Sequence, residues 1–139
     1  MNNFKLDRRL AESSSLIKDL GDIELRLSNN ALVPWFLLIP KVQLTEWFEL
    51  EEVMQIRLNK LVNALSAFLK TELKVDKINV ATIGNVVSQM HIHVVGRKQD
   101  DFCWPDVVWG KQQFKPYTDD QRNEIIMSLL KRCSACVQA

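Results

Sequence analysis

The most regular alternation of apolar and polar residues in the chain covers residues 87–97. Because successive side chains of a β-strand point to opposite faces, this alternation predicts a strand. One face is wholly apolar and is expected to look into the core; it comprises Met90, Ile92 and Val94. The other face carries both histidines of the chain; it comprises Gln89, His91, His93, Val95 and Arg97. The pattern therefore predicts a strand that presents titratable side chains to one side of a sheet.

Three further runs have the pattern of β-strands. Residues 22–28 alternate between apolar and polar, which is typical of a strand packed on one face. Residues 35–39 are continuously apolar between two prolines, which indicates a strand buried on both faces. Residues 77–83 form the third run and precede the histidine strand. A turn at Asn29-Asn30 is expected to join the first two runs as a hairpin.

Three segments have apolar residues at helical spacing. The first is an N-terminal helix within residues 1–20, read from about Asp7 to Leu20. The second runs from about Glu51 to Leu73, and the third covers residues 118–137, where Thr118 or the aspartate after it can cap the helix. Hairpin strands with segregated helices indicate an α+β fold with an antiparallel sheet, and residues 1–139 form a single domain.

Composition and charge narrow the classes of function. A chain of 139 residues with 47% hydrophobic and 25% charged residues has the composition of one globular domain. The net charge of +1 gives no general attraction to nucleic acid or membrane, and no apolar run has the roughly 18 residues of a membrane span. Cys103, Cys133 and Cys136 lack the spacing of a disulfide framework. Free thiols and a cytoplasmic location are therefore expected, with neither nucleic acid nor membrane as a partner.

The stretch Gln89-Met90-His91-Ile92-His93-Val94-Val95 resembles the histidine triad (HIT) motif, His-φ-His-φ-His-φ-φ, where φ is apolar. Glutamine occupies the first histidine position. Residues 34–40 resemble the family's earlier strand, which ends in a proline, and residues 100–110 resemble a bacterial branch that also carries Gln in that position. The resemblance covers most of the chain, from about Ile23 to Gly110. It implies a HIT-like fold, an antiparallel sheet of about five strands with two main helices, here followed by a C-terminal helix, and a homodimer.

HIT proteins are nucleotide hydrolases and transferases that cleave at the α-phosphate of dinucleoside polyphosphates, nucleoside phosphoramidates or nucleotidyl adducts. The resemblance implies that His91 is the nucleophile and forms a covalent nucleotidyl-histidine, which water then resolves. His93 is expected to bond a phosphate oxygen or to orient the site, and a packed strand histidine is the alternative. Gln89 can donate to a phosphate oxygen, but glutamine cannot deliver a proton near pH 7.

Five further polar residues are expected near the nucleotide by the same resemblance. Asn85 matches the family's phosphate-binding Gln, and Ser88 lies near it in a turn whose backbone N–H groups can bind an anion. Asn79 matches an active-site Asn on the preceding strand. Asn29 and Asn30 lie where the family holds the ribose. For the residues next to turns, a purely local turn function is the alternative.

Four other side chains have two interpretations each. Trp35 either forms a wall of the base pocket or packs in the core. Trp104 and Trp109 either close over the site, lie in a dimer interface or simply pack. Arg97 either meets a polyphosphate or is solvated at the end of its strand.

Three functions follow from these residues. The first is a HIT-type nucleotide phosphohydrolase or nucleotidyl transferase that acts on a purine nucleotide or nucleotide adduct. It needs no cofactor, although a divalent metal can accompany the substrate. The second is a catalytically weak or inactive nucleotide-binding module, and the third is a structural or interaction domain. A zinc site formed by His91, His93 and Cys103 is the rival chemistry, but no second Cys/His cluster lies nearby and no metal site is expected.

Overall fold

The computed structural model describes residues 3–138. It contains five strands, β1 Ser14–Asp19, β2 Ile23–Ser28, β3 Trp35–Pro40, β4 Lys77–Ala81 and β5 Ile92–Arg97. The helices are α1 Arg8–Ser13, α2 Glu52–Thr71 and α3 Asp119–Arg132, with 3₁₀ turns at Trp47–Glu49 and Ser134–Cys136. The strands form one antiparallel sheet in the order β1-β2-β3-β5-β4. The predicted α+β fold with a five-stranded antiparallel sheet is confirmed.

One face of the sheet packs against α2 and α3 and forms the main core. The members of this core from the two central strands are Phe36, Leu38, Ile92 and Val94. The buried stripe of α2 that meets them consists of Leu58, Leu61, Leu65, Phe68 and Leu69. Met90 belongs to the same core and is also buried. The predicted apolar face of the histidine stretch therefore faces the helices.

The opposite face of the sheet is covered by chain segments rather than by a long helix. Leu37 and Ile39 of β3 pack with Leu10 of α1, and Val95 of β5 packs with Val108 of the long loop after β5. Because β3 and β5 are neighbours, Leu37 lies opposite His93 in the pairing register. The histidine-bearing face is thus partly enclosed, and both imidazoles are 7% exposed.

The predicted helix from Asp7 to Leu20 is wrong beyond Ser13. The hydroxyl of Ser14 donates to the carbonyl of Leu10 at the end of α1, and the chain continues as the edge strand β1. A register shift between Leu16 and Lys18 marks an irregularity in this strand. Such a shift lets side chains three positions apart share one face, which imitates helical spacing. The buried positions of β1 are Ser14 and Ile17.

Other predicted boundaries need smaller corrections. The histidine strand begins at Ile92, so residues 87–91 precede it as irregular chain. The third helix ends at Arg132 rather than at residue 137, although Thr118 caps it as predicted by accepting a hydrogen bond from the backbone of Gln121. None of the helices within residues 3–138 is long and apolar enough to cross a membrane.

The expectation of three free thiols is also wrong. Cys133 and Cys136 form a disulfide that is buried against α2, whereas Cys103 is free. Cys133 directly precedes the 3₁₀ turn Ser134–Cys136 and Cys136 ends it, so the turn brings the two cysteines together.

Candidate functional site

The His91 ring is oriented by the backbone of its own stretch. Its Nδ1 lies 2.6 Å from the carbonyl oxygen of Gln89. A carbonyl oxygen only accepts, so Nδ1 carries the hydrogen and donates it. In the neutral ring Nε2 then keeps its lone pair, which is the arrangement that a nitrogen nucleophile needs.

His93 has the opposite arrangement of its ring nitrogens. The indole Nε1–H of Trp35 donates to His93 Nδ1 at 3.0 Å, so the hydrogen of a neutral His93 lies on Nε2. Burial, with a smaller contribution from the charge of His91, lowers the pKa of His93 to about 3. Its ring centroid lies 4.8 Å from that of His91. His93 is therefore a fixed hydrogen-bond donor beside the candidate nucleophile and stays neutral at ordinary pH.

The contact from Trp35 to His93 had no signal in the sequence. The two residues are 58 positions apart, and the pairing of β3 with β5 brings them together. The Trp35 ring also packs against Trp109 at 6.1 Å between centroids, and Trp109 packs against His93 at 5.5 Å. Trp35 thus both orients His93 and forms part of an aromatic cluster on the histidine face.

The low pKa of His93 predicts a specific dependence of stability on pH. An unfolded histidine titrates near about 6.5, so between that pH and about 3 the unfolded chain binds a proton that the folded chain does not. This contribution to the free energy of unfolding is fully present above about pH 6.5 and falls by about 1.4 kcal/mol per pH unit on acidification. Between pH 7 and 5 the wild type is expected to lose about 2 kcal/mol more than His93→Gln in urea unfolding. An equal loss in both proteins would contradict the assignment.

A cavity of about 400 Å³ adjoins His93. It is large enough for a ligand of nucleoside size. Aromatic and polar side chains from three parts of the chain line it, among them Asn29, Trp35, His93, Trp109 and Phe114.

The two asparagines of the hairpin connection both line this cavity, and their amides are engaged within the protein. Asn29 accepts from the Ser15 hydroxyl and donates to the carbonyl of Glu12. Asn30 donates to the carbonyl of Gln113 and accepts from the backbone of Lys115. Asn30 therefore braces the long loop against the hairpin at the edge of the cavity.

Asn79 does not face this cavity. Its Oδ1 accepts from Nη1 of Arg97 at 3.0 Å. Of the two interpretations of Arg97, the solvated strand end is wrong, since the residue is 1% exposed and its guanidinium binds both carboxylate oxygens of Asp101, at 2.7 and 3.0 Å. The guanidinium carbon also lies 5.6 Å from the ring centroid of Trp104. Asn79 and Trp104 thus belong to a buried ion-pair cluster that orders the loop after β5.

The Gln89 amide contacts the N-terminal part of the chain. Its Oε1 accepts from the backbone N–H of Asp7, and its Nε2 donates to the carbonyl of Lys5, both at 2.8 Å. Ser88, which is exposed, lines a second cavity beside Gln89, and Asn85 is exposed on the turn before it. These two bonds hold the Gln89 amide against the N-terminal segment.

The ligands of the rival zinc site are not assembled. The thiol of Cys103 lies 3.5 Å from Nη2 of Arg97, in the ion-pair cluster. Within residues 3–138 the structure groups no three His, Cys, Asp or Glu side chains in a way that can hold a metal ion. The two histidines therefore have each other, two tryptophans and a backbone carbonyl among their neighbours.

The family model of the HIT domain matches residues 9–100, which is more than half of the chain. The chain belongs to the HIT family. This family includes nucleotide hydrolases and transferases. The match contains both histidines and the strands that position them, so the candidate site is the HIT motif of this domain.

Solved structures of bacterial histidine triad proteins have the same fold over almost their full length. The protein from Marinobacter aquaeolei VT8 has 35% sequence identity and a TM-score of 0.90, covering 96% of this chain and 98% of that chain. The protein from Sinorhizobium meliloti 1021 has 33% identity and a TM-score of 0.89, with 95% and 98% covered. The protein from Bradyrhizobium japonicum has 33% identity and a TM-score of 0.89, with 94% and 98% covered. No curated protein matches the sequence.

Proposed function

We propose that this HIT protein is a nucleotide phosphohydrolase or nucleotidyl transferase that acts at the α-phosphate of a dinucleoside polyphosphate or nucleoside phosphoramidate. The observation that carries the proposal is the hydrogen bond from His91 Nδ1 to the carbonyl of Gln89. It leaves Nε2 of the neutral ring as a nucleophile with a fixed direction.

In the proposed reaction His91 Nε2 attacks the α-phosphorus. A P–N bond forms, the bond from phosphorus to the leaving group breaks, and the leaving group takes the electron pair. His93 donates its Nε2–H to a phosphoryl oxygen and stabilises the developing charge without transferring its proton. Water then attacks the phosphorus of the nucleotidyl-histidine, the P–N bond breaks with its electron pair returning to Nε2 of His91, and the nucleotide is released. The scheme needs no cofactor, and a divalent cation enters only with a polyphosphate substrate.

The larger cavity supports a purine nucleoside as the bound half of the substrate. Trp35, Trp109 and Phe114 line it, and aromatic side chains offer stacking surfaces to a base. Asn29 and Asn30 line the same cavity, and each amide has a second N–H besides the one it donates to the backbone, which can contact a ribose hydroxyl. Since His93 lines the cavity and contacts His91, a nucleoside there would present its α-phosphate to both imidazoles.

A nucleotide-binding module with weak or no turnover is the alternative. It is favoured by Gln89, whose amide oxygen and nitrogen are both bonded to the N-terminal backbone. Glutamine has no titratable proton for a leaving group, so only substrates with a good leaving group are expected to react quickly.

The two functions are separated by measurements on the wild-type protein. Diadenosine tetraphosphate labelled with ³²P at the α-phosphates and adenosine phosphoramidate are the test substrates, and AMP affinity is measured by calorimetry. Turnover, together with a protein-bound label that survives base and is lost in acid, supports the enzyme. AMP binding without turnover supports the binding module, and the absence of both results would contradict the two proposals.

We also propose that the protein is a homodimer. Strand β4 is an edge of the sheet, so one side of its backbone is open for pairing. Exposed apolar side chains follow along this edge, namely Val80, Ile83 and Val86. Sedimentation at micromolar concentration is expected to give twice the monomer mass, and a monomer mass would contradict the dimer.

A further inference from the structure

The side chain of Gln89 joins two distant parts of the chain. The N-terminal segment, residues 3–9, passes beside the stretch that carries His91. Gln89 bonds this segment on both sides of Leu6, through the carbonyl of Lys5 and the N–H of Asp7. Leu6 itself packs with the smaller core cluster on this face of the sheet. The amide therefore bonds one carbonyl and one N–H of the segment, as the backbone of a neighbouring strand does in a sheet.

A second bond holds the same segment at its other end. Nη1 of Arg9 donates to the carbonyl of Val86 at 3.0 Å, and the Arg9 guanidinium also binds the carboxylate of Asp7. The contacts from Gln89 and Arg9 link positions between 77 and 84 residues apart. The segment is therefore attached by specific hydrogen bonds as well as by apolar packing.

Gln89 also contacts the candidate nucleophile. Its carbonyl accepts the hydrogen bond from His91 Nδ1 at 2.6 Å, while its side chain holds the N-terminal segment. One residue thus connects the wall formed by the segment to the ring that would attack phosphorus. A shift of the segment would be transmitted through Gln89 to the direction of His91.

A cavity of about 340 Å³ lies between the N-terminal segment, residues 42–45 and Gln89. The larger cavity of about 400 Å³ is lined by His93. Each cavity thus adjoins a residue that contacts His91, because the carbonyl of Gln89 accepts from His91 Nδ1 and the His93 ring packs against the His91 ring. The cavity beside His93 is the first compartment, and the cavity beside Gln89 is the second compartment.

The second compartment has the chemistry of an anion site. Lys5 lines it, and among residues 3–138 no carboxylate forms an ion pair with this ammonium. The carboxylate of Asp7, which also lines the compartment, is occupied by Arg9. The neutral polar side chains there are Asn3, Gln43, Thr45, Ser88 and Gln89. A phosphate chain fits this lining better than an uncharged amine does.

We propose that this compartment is the leaving-group pocket, that it takes the phosphate chain of a dinucleoside polyphosphate, and that Gln89 is the positioning residue that holds its wall. The inference rests on the proposed function and names its substrate class. When Nε2 of His91 forms its bond to the α-phosphorus, the bond to the bridging oxygen breaks. The bridging oxygen keeps the electron pair, and the departing nucleotide carries the added negative charge towards Lys5.

The test compares Gln89→Leu with Gln55→Leu. Gln55 is a matched control because its amide also makes two hydrogen bonds to the backbone, in this case by donating to the carbonyls of Trp47 and Leu50, away from both cavities. The probes are AMP, which lacks a leaving group, and a diadenosine tetraphosphate with a methylene group in place of each scissile oxygen. Calorimetry measures both affinities, and amide hydrogen exchange measures the protection of the Asp7 N–H.

Gln89→Leu is expected to weaken tetraphosphate binding about tenfold, the effect of losing one or two hydrogen bonds, and to change AMP binding by less than about twofold. Exchange of the Asp7 amide is expected to accelerate by about tenfold or more, because its acceptor is gone. Lys5→Gln is expected to weaken the tetraphosphate alone and to leave the exchange unchanged. Gln55→Leu is expected to change none of these quantities.

The outcomes separate the pocket from the proposed function. If the wild type binds AMP but Gln89→Leu weakens both ligands equally or neither, the pocket is wrong while nucleotide binding stands. If the wild type binds neither ligand, the proposed function fails and the leaving-group pocket fails with it. If Asp7 exchange is unchanged in a folded Gln89→Leu protein, Gln89 is not the residue that holds the segment.

Discussion

Replacement of His91 by alanine is expected to lower kcat by about 10³-fold or more, which is the scale of effect when a covalent nucleophile is removed. AMP affinity is expected to change only a few-fold, because the cavity that would hold the nucleoside is lined by other residues. Steady-state hydrolysis of diadenosine tetraphosphate gives the first quantity, and calorimetry with AMP gives the second. The variant should also fail to retain a label from the α-phosphate.

His93→Gln is the matched comparison for this result. The substitution keeps an N–H donor at the position where the fixed tautomer of His93 donates, so it is expected to retain the protein-bound label.

Free imidazole is expected to restore part of the turnover of His91→Ala by entering the space left by the ring. Wild-type turnover in His91→Ala would show that another group attacks phosphorus and would contradict the mechanism.

Replacement of Arg97 by methionine is expected to lower the free energy of unfolding by about 3–5 kcal/mol, the cost of leaving a buried charge without its partner. The side chains of Arg97 and Asp101 are 2% and 6% exposed. Asp101 also accepts hydrogen bonds from the backbone N–H groups of Lys98, Cys103 and Trp104. Loss of Arg97 therefore leaves the carboxylate uncompensated in the segment that leads to Trp109 and the cavity. Urea unfolding monitored by tryptophan fluorescence measures the change.

Arg122→Met is the control for removal of an arginine from an ion pair. Its partner Asp119 lies three residues earlier on α3, and the two side chains are 32% and 85% exposed. Because solvent screens such a pair, the expected loss is under about 1 kcal/mol. The double variant Arg97→Met with Asp101→Leu removes both charges and is expected to recover part of the stability. Similar losses for the two single variants would contradict a buried ion pair at Arg97.

Local sequence patterns correctly predicted those strands and helices in which the spacing of apolar residues along the chain matches the spacing of the buried positions. The continuous apolar run of β3 is buried on both faces, and Ile92 and Val94 face α2 as their parity requires. The pattern of residues 7–20 was misleading because an irregular edge strand repeated the spacing of a helix. A single sequence segment does not distinguish these two cases, since the distinction depends on whether β2 is available as a partner.

The sequence by itself determined that His91 and His93 share one face of their stretch and that the apolar residues alternating with them are buried. Both properties follow from alternation along one short stretch. Only the tertiary structure decided which groups from distant parts of the chain contact this stretch. The tautomer of His93 depends on Trp35 across the sheet, and the position of Gln89 depends on Lys5 and Asp7 at the other end of the chain. Such contacts are set by strand pairing and by the path of the covering segments, which no local period encodes.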